Sequence, residues 1–130
     1  MVQGLRKSIL VVEDEPHVAK MIARRLELSG YEVHIEGTGQ GALVYLAEHQ
    51  PDLVTLDLRL PDLSGLEVCK HLRQHYGSWA MPVLMLTALD QPIDQLRGFA
   101  HGADAYLTKP FESDELVETV ALLLGETAQA

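Results

Sequence analysis

Residues 9–16 read Ile9-Leu10-Val11-Val12-Glu13-Asp14-Glu15-Pro16, and this stretch decides the fold. Four consecutive apolar residues are too few for a helix and do not alternate, so they read as a strand buried on both faces. Carboxylates stop the run at once, and Pro16 suits the first position of a helix. A buried strand that passes through an acidic turn into a helix is the opening of a βαβ unit.

Moving outward, residues 53–56, residues 83–86 and, more weakly, residues 105–107 repeat the short apolar run, and residues 32–35 alternate polar and apolar as an edge strand would. Helical patterns lie between them. In the first, Val18, Met21, Ile22 and Leu26 form an apolar stripe that Gly30 is placed to end; in the last, Ser113 reads as N-cap, with Asp114 and Glu115 in the first turn and Leu116, Val117, Val120, Leu123 and Leu124 at helical spacing. Weaker patterns cover residues 41–48, 65–75 and 93–100. Strands and helices that alternate in this way imply right-handed crossovers and a parallel sheet covered on both faces. The expected architecture is α/β: a (βα)5 flavodoxin-like doubly wound sheet of five parallel strands in the order 2-1-3-4-5.

Residues 1–130 have the length of one domain, with a core over about residues 7–124 and short flexible ends at residues 1–6 and 125–130. A net charge of −9 with no basic run argues against direct nucleic-acid binding. Cys69 is the only cysteine, which rules out an internal disulfide and fits a reducing, cytoplasmic setting. No apolar run approaches the about 20 residues needed to span a bilayer, and the acids at 13 and 14 interrupt any signal-peptide core.

In an open parallel sheet the functional crevice lies beyond the carboxyl ends of the strands. The residues there are Glu13 and Asp14 after the first strand, Asp57 after the third, Thr87 after the fourth, and Lys109 with Pro110 after the fifth. Three carboxylates in one crevice require a cation. A hard, oxygen-liganded ion such as Mg²⁺, with Mn²⁺ as a substitute, would offset their charge and leave positions for phosphate. A carboxylate beside such an ion can attack a phosphoryl donor, while a lysine neutralises the transferred oxygens and a threonine hydroxyl donates to one of them.

The segments VVEDEP at 11–16, DLRLPDLSG at 57–65, LTA at 86–88 and GADAYLTKPF at 102–111 together resemble response-regulator receiver domains, the CheY-like family of two-component signal transduction. The motifs stand in the family's order over nearly the whole chain. The resemblance implies a phosphorylation-dependent switch with Asp57 as phosphoacceptor. It implies Mg²⁺ ligands from Glu13, Asp14, Asp57 and the backbone carbonyl of Arg59, and phosphoryl contacts from Thr87, Ala88 and Lys109. Thr87 and Tyr106 match the coupled switch pair, and Lys109-Pro110 matches a cis peptide bond. Arg59 and Leu89 match positions that tune phosphoryl lifetime. The implied donor is a phosphohistidine on a sensor histidine kinase or a histidine phosphotransfer protein. The implied output passes through the face of the fourth helix, fifth strand and fifth helix to an output domain or partner protein. Such a protein is not an enzyme in the ordinary sense, since it catalyses only its own phosphorylation and dephosphorylation. One subfamily feature is missing: residues 113–124 carry no Lys or Arg, so a dimer salt-bridged through the last helix does not carry over.

Each residue also has a plainer reading. Glu13 and Asp14 could form a solvated loop, Asp57 and Thr87 could cap turns, Tyr106 could be a half-buried sheet aromatic, and Lys109 a surface charge. Pro61 and Gly65 read as loop punctuation. Gly37-Thr38-Gly39-Gln40-Gly41-Ala42 satisfies a dinucleotide-binding fingerprint, with Asp57 twenty residues beyond Gly37, but its strand is short and half polar. A receiver-shaped interaction domain that is never phosphorylated is a third class, against which the intact acidic set argues. His71 and His75 have zinc-chelating spacing without a third ligand and read as a solvated helix face. Cys69 is expected to pack inward with Leu66 and Leu72, and Trp79 to pack against a loop.

Overall fold

The computed structural model describes residues 6–76, 81–89 and 91–126. Strands and helices alternate through it: β1 (Ser8–Val12), α1 (Pro16–Leu28), β2 (Glu32–Glu36), α2 (Gly39–Glu48), β3 (Leu53–Leu56), α3 (Gly65–Tyr76), β4 (Val83–Thr87), α4 (Pro92–Ala100), β5 (Ala105–Thr108) and α5 (Ser113–Leu123). The strands are all parallel in the order β2-β1-β3-β4-β5, the doubly wound arrangement read from the sequence. Because a strand's side chains alternate between faces, Leu10 and Val12 enter one core layer with Leu46, Val68 and Leu72, while Ile9 and Val11 enter the other with Ile22, Leu26, Leu116 and Val120. Cys69 is buried in the first layer beside Leu72, with Leu66 packed against that layer.

The register positions the crevice. Val12 pairs with Leu56 and Thr87 with Thr108, so the residues that follow β1 and β3, and those at the ends of β4 and β5, emerge at one edge.

Several local expectations change. Met21 is 58% exposed and stands outside the buried face of α1, which is formed by Ala19, Ile22, Ala23 and Leu26. β5 is only half-buried because it is the sheet's second edge, whereas β1, β3 and β4 are enclosed. Ser113 is the first residue of α5 rather than its N-cap; Glu112 holds the cap position, with no side-chain hydrogen bond. α2 starts at Gly39, two residues earlier than its apolar pattern suggests. Gly30 does end α1, at φ +100°, a conformation glycine adopts without steric cost.

At the expected flexible ends, Arg6 lies 3.8 Å from Glu32, and Glu126 accepts a 2.7 Å hydrogen bond from the Tyr31 hydroxyl. Residues 1–5 and 127–130, and Trp79 with its expected packing, lie outside the described residues. Among the described residues no helix is long and apolar enough to cross a membrane.

Candidate functional site

The carboxyl edge of the sheet gathers the acids. Glu13 follows β1 directly and Asp57 follows β3; they are only 3% and 6% exposed, while neighbouring Asp14 is exposed. One carboxylate oxygen from each of the three lies within 4.8 Å of the others, the only group of its kind among the described residues. Lys109 reaches over from the end of β5 and donates from Nζ to Glu13 Oε1 at 2.5 Å and to Asp57 Oδ2 at 2.9 Å. The other Asp57 oxygen accepts the Arg59 backbone N–H at 3.0 Å, and Glu13 Oε2 accepts that of Glu15 at 3.2 Å.

Burial holds the Glu13 carboxyl above its ordinary pKa, against hydrogen bonds from Lys109 and Glu15 that pull it down. Burial works to lower the pKa of Lys109, but the hydrogen bonds to Glu13 and Asp57 outweigh it and leave the ammonium more firmly protonated than usual. One lysine facing three close carboxylates leaves the cluster short of positive charge. An all-oxygen donor set, two members enclosed and one open to solvent, fits a hard divalent ion.

Thr87 is fully buried at the end of β4, and its Oγ1 accepts the Leu89 backbone N–H at 3.3 Å. The Leu89 carbonyl in turn accepts the Tyr106 hydroxyl at 2.5 Å, so Thr87 and Tyr106 meet through one residue. The Tyr106 ring lies 6.4 Å from that of Phe99 on α4. Ala88 and Arg59 are exposed and Leu89 is half-buried beside this edge. The Lys109-Pro110 peptide bond is cis.

The dinucleotide fingerprint does not converge on an open phosphate cradle. The Gly39 and Gln40 N–H groups at the start of α2 donate to the two carboxylate oxygens of Asp62 at 2.8 and 2.9 Å, and the Gly41 N–H donates to Thr38 Oγ1 at 2.9 Å. A carboxylate already holds the place where a phosphate would sit. His71 and His75 are exposed on α3 and join no cluster of three ligands among the described residues. Asp62 went unnoticed in the sequence because its partners lie more than twenty positions away.

A family model described as the response regulator receiver domain matches residues 9–121. The chain belongs to that family. It is 42% identical over 119 residues to the DNA-binding dual master transcriptional regulator RpaA of Synechocystis sp., covering 92% of this chain and 49% of that protein. It is 43% identical over 120 residues to the alkaline phosphatase synthesis transcriptional regulatory protein PhoP of Bacillus subtilis, with the same coverages of 92% and 49%. The chain thus spans about half the length of these curated relatives. Among solved structures, the receiver domain of the Francisella response regulator 1452 superposes with a TM-score of 0.86 at 32% identity, covering 92% of this chain and 98% of that one. The fold, the acidic edge and the family agree that this is a receiver domain of a two-component system.

Proposed function

We propose that this receiver accepts a phosphoryl group on Asp57 from a phosphohistidine on a histidine kinase or a histidine phosphotransfer protein, in a divalent-metal-dependent reaction, and passes the signal on by a change of shape. The observation that carries this reading is the Asp57 carboxylate, nearly enclosed, in contact with Lys109 and within 4.8 Å of the Glu13 and Asp14 oxygens. Glu13, Asp14, Asp57 and the Arg59 backbone carbonyl would hold Mg²⁺, or Mn²⁺ in its place. The bound ion supplies charge neutralisation for the carboxylates and the incoming phosphoryl oxygens.

An Asp57 oxygen attacks phosphorus as the bond from phosphorus to the donor nitrogen breaks, and the imidazole leaves with a proton from solvent. Lys109, released in part from Glu13 and Asp57, binds a phosphoryl oxygen, with the Thr87 hydroxyl and the Ala88 N–H at the others. When Thr87 turns toward the phosphoryl group it gives up the Leu89 N–H, which loosens the Leu89 segment that receives the Tyr106 hydroxyl. Phosphorylation therefore biases the α4-β5-α5 face between two arrangements, for an output domain or partner protein to read.

Incubation with Mg²⁺ and a small acyl phosphate should add one phosphoryl mass, and Asp57→Asn should abolish the addition. Equal labelling of the Asn variant would refute Asp57 as acceptor. The lifetime of the adduct depends on a water in line with phosphorus, and the bulky Arg59 and Leu89 at the pocket mouth obstruct that line. Arg59→Asn with Leu89→Glu should speed phosphate release without preventing loading; release no faster than in the parent would refute the shielding.

A further inference from the structure

The residues between Asp57 and α3 carry one half of the acidic site, and their fixation needs an explanation. The near end is tied by the Asp57 N–H to the Val12 carbonyl at 3.2 Å. Within the loop, Arg59 and Ser64 form an antiparallel bridge, and the Gly65 N–H donates to the Leu58 carbonyl at 2.8 Å. Gly65 lies so close to the Asp57 carbonyl that an added Cβ would fall 2.2 Å from its oxygen, so only glycine fits there. These contacts hold the loop to itself.

Its outer end is held to the rest of the molecule by Leu60 and Leu63, which pack against the core layer, and by the one polar anchor among the described residues, Asp62. Its carboxylate accepts the Gly39 N–H at 2.8 Å, the Gln40 N–H at 2.9 Å and its neighbour Leu63's N–H at 2.9 Å. Those hydrogen bonds, led by Gln40 and Gly39, hold the carboxyl below its ordinary pKa, so it stays charged at neutral pH. The Leu63 side chain closes on Gly39, where a Cβ would lie only 2.8 Å from Leu63 Cβ. The turn thus grasped leads back to the other half of the site: the Glu36 carbonyl accepts the Glu13 N–H at 3.0 Å, and a Cβ on Gly37 would stand 3.9 Å from the Glu13 carbonyl oxygen.

We propose that Asp62 is a positioning residue for the metal site. Its bond to the start of α2 sets the spacing between the loop bearing the Arg59 carbonyl and the turn that backs Glu13. The glycines that mimic a dinucleotide fingerprint thus serve as a cradle for an internal carboxylate. The inference rests on the metal-dependent reading above.

Thr38 provides the control. Its hydroxyl caps the same helix through the Gly41 N–H but makes no bond to the Asp57–Gly65 loop. Asp62→Ala and Thr38→Ala should both lower the melting temperature, because each removes a helix cap. Only Asp62→Ala should weaken Mg²⁺ binding, by roughly tenfold in titration, the lower end of the scale seen for groups that orient metal ligands. Asp62→Asn keeps one accepting oxygen for Gly39 and should fall between parent and Ala. In the metal-free protein, amide hydrogen exchange at Arg59 and Gly65 should quicken in Asp62→Ala and not in Thr38→Ala. If the parent binds Mg²⁺ while the Asp62 variants bind it as tightly, Asp62 is only a cap and the proposal fails alone. If the parent itself shows no Mg²⁺ binding, the metal reading fails and the proposal with it.

Discussion

Glu13 and Asp14 are adjacent acids with different surroundings. Glu13 is enclosed and bound to Lys109, whereas Asp14 stands open to solvent at the mouth of the crevice. Asp14 is therefore free to give its charge to an incoming ion without first breaking an ion pair. Asp14→Ala should weaken Mg²⁺ binding by at least about tenfold, since it removes a charged oxygen ligand, and should change stability little because the side chain is exposed. Unchanged affinity by titration would refute that role. The acids, Thr87 and Lys109 were legible in the sequence because each follows a recognisable strand, and strand ends converge in this fold. That Lys109 is held by Glu13 as well as Asp57, and that Tyr106 reaches Thr87 through the Leu89 backbone, depends on distances no spacing encodes.

Between elements, the end of the sheet opposite the acids is fastened by Arg73 of α3. Its guanidinium donates to the Gly102 carbonyl at 3.0 and 2.7 Å, to the Met81 carbonyl at 2.5 Å and to Asp104 at 2.7 Å, while Asp104 accepts the Val83 N–H at 2.8 Å. One side chain thus joins α3 to the start of β4 and to the turn before β5. Arg73→Ala leaves the enclosed Met81 carbonyl and the half-buried Gly102 carbonyl without this donor, while the exposed Asp104 keeps the Val83 N–H, and should cost about 1–3 kcal/mol in urea unfolding. Its Mg²⁺ affinity should match the parent's, since the acids lie at the other edge; a loss of affinity would mean the two ends are coupled. Element types were readable from period and length, and the parallel sheet covered on both faces followed from their alternation. Boundaries slipped where a distant partner intervenes: α2 begins at Gly39 because Asp62 receives its first amides. The expected order already placed β5 at an edge, but its burial was overestimated because three apolar residues do not distinguish an enclosed strand from an edge.

At the scale of the whole molecule, the two core layers on either side of the sheet make stability sensitive to any charge formed inside them. Cys69 is completely buried between α3 and the sheet, and burial pushes its thiol up to about 11 from an ordinary 9.0, against a smaller downward pull from Arg73. The unfolded chain therefore loses this proton near pH 9 while the folded chain keeps it until near pH 11. In that window the folded state binds more protons, so stability is full below pH 9 and falls as pH rises, by about 2–3 kcal/mol over the interval. Tyr31, raised by burial and by Glu126, changes stability in the same direction at higher pH, so the thiol must be isolated by substitution. Cys69→Ala should be less stable than the parent at pH 8 by roughly 1–2 kcal/mol, because it leaves a cavity in a packed layer. The variant has no thiol to ionise, so the gap should close, or even reverse, between pH 8 and pH 11. Denaturant unfolding of both proteins at several pH values measures this directly, and a gap that stays constant would show that the thiol ionises as readily in the fold as in the unfolded chain.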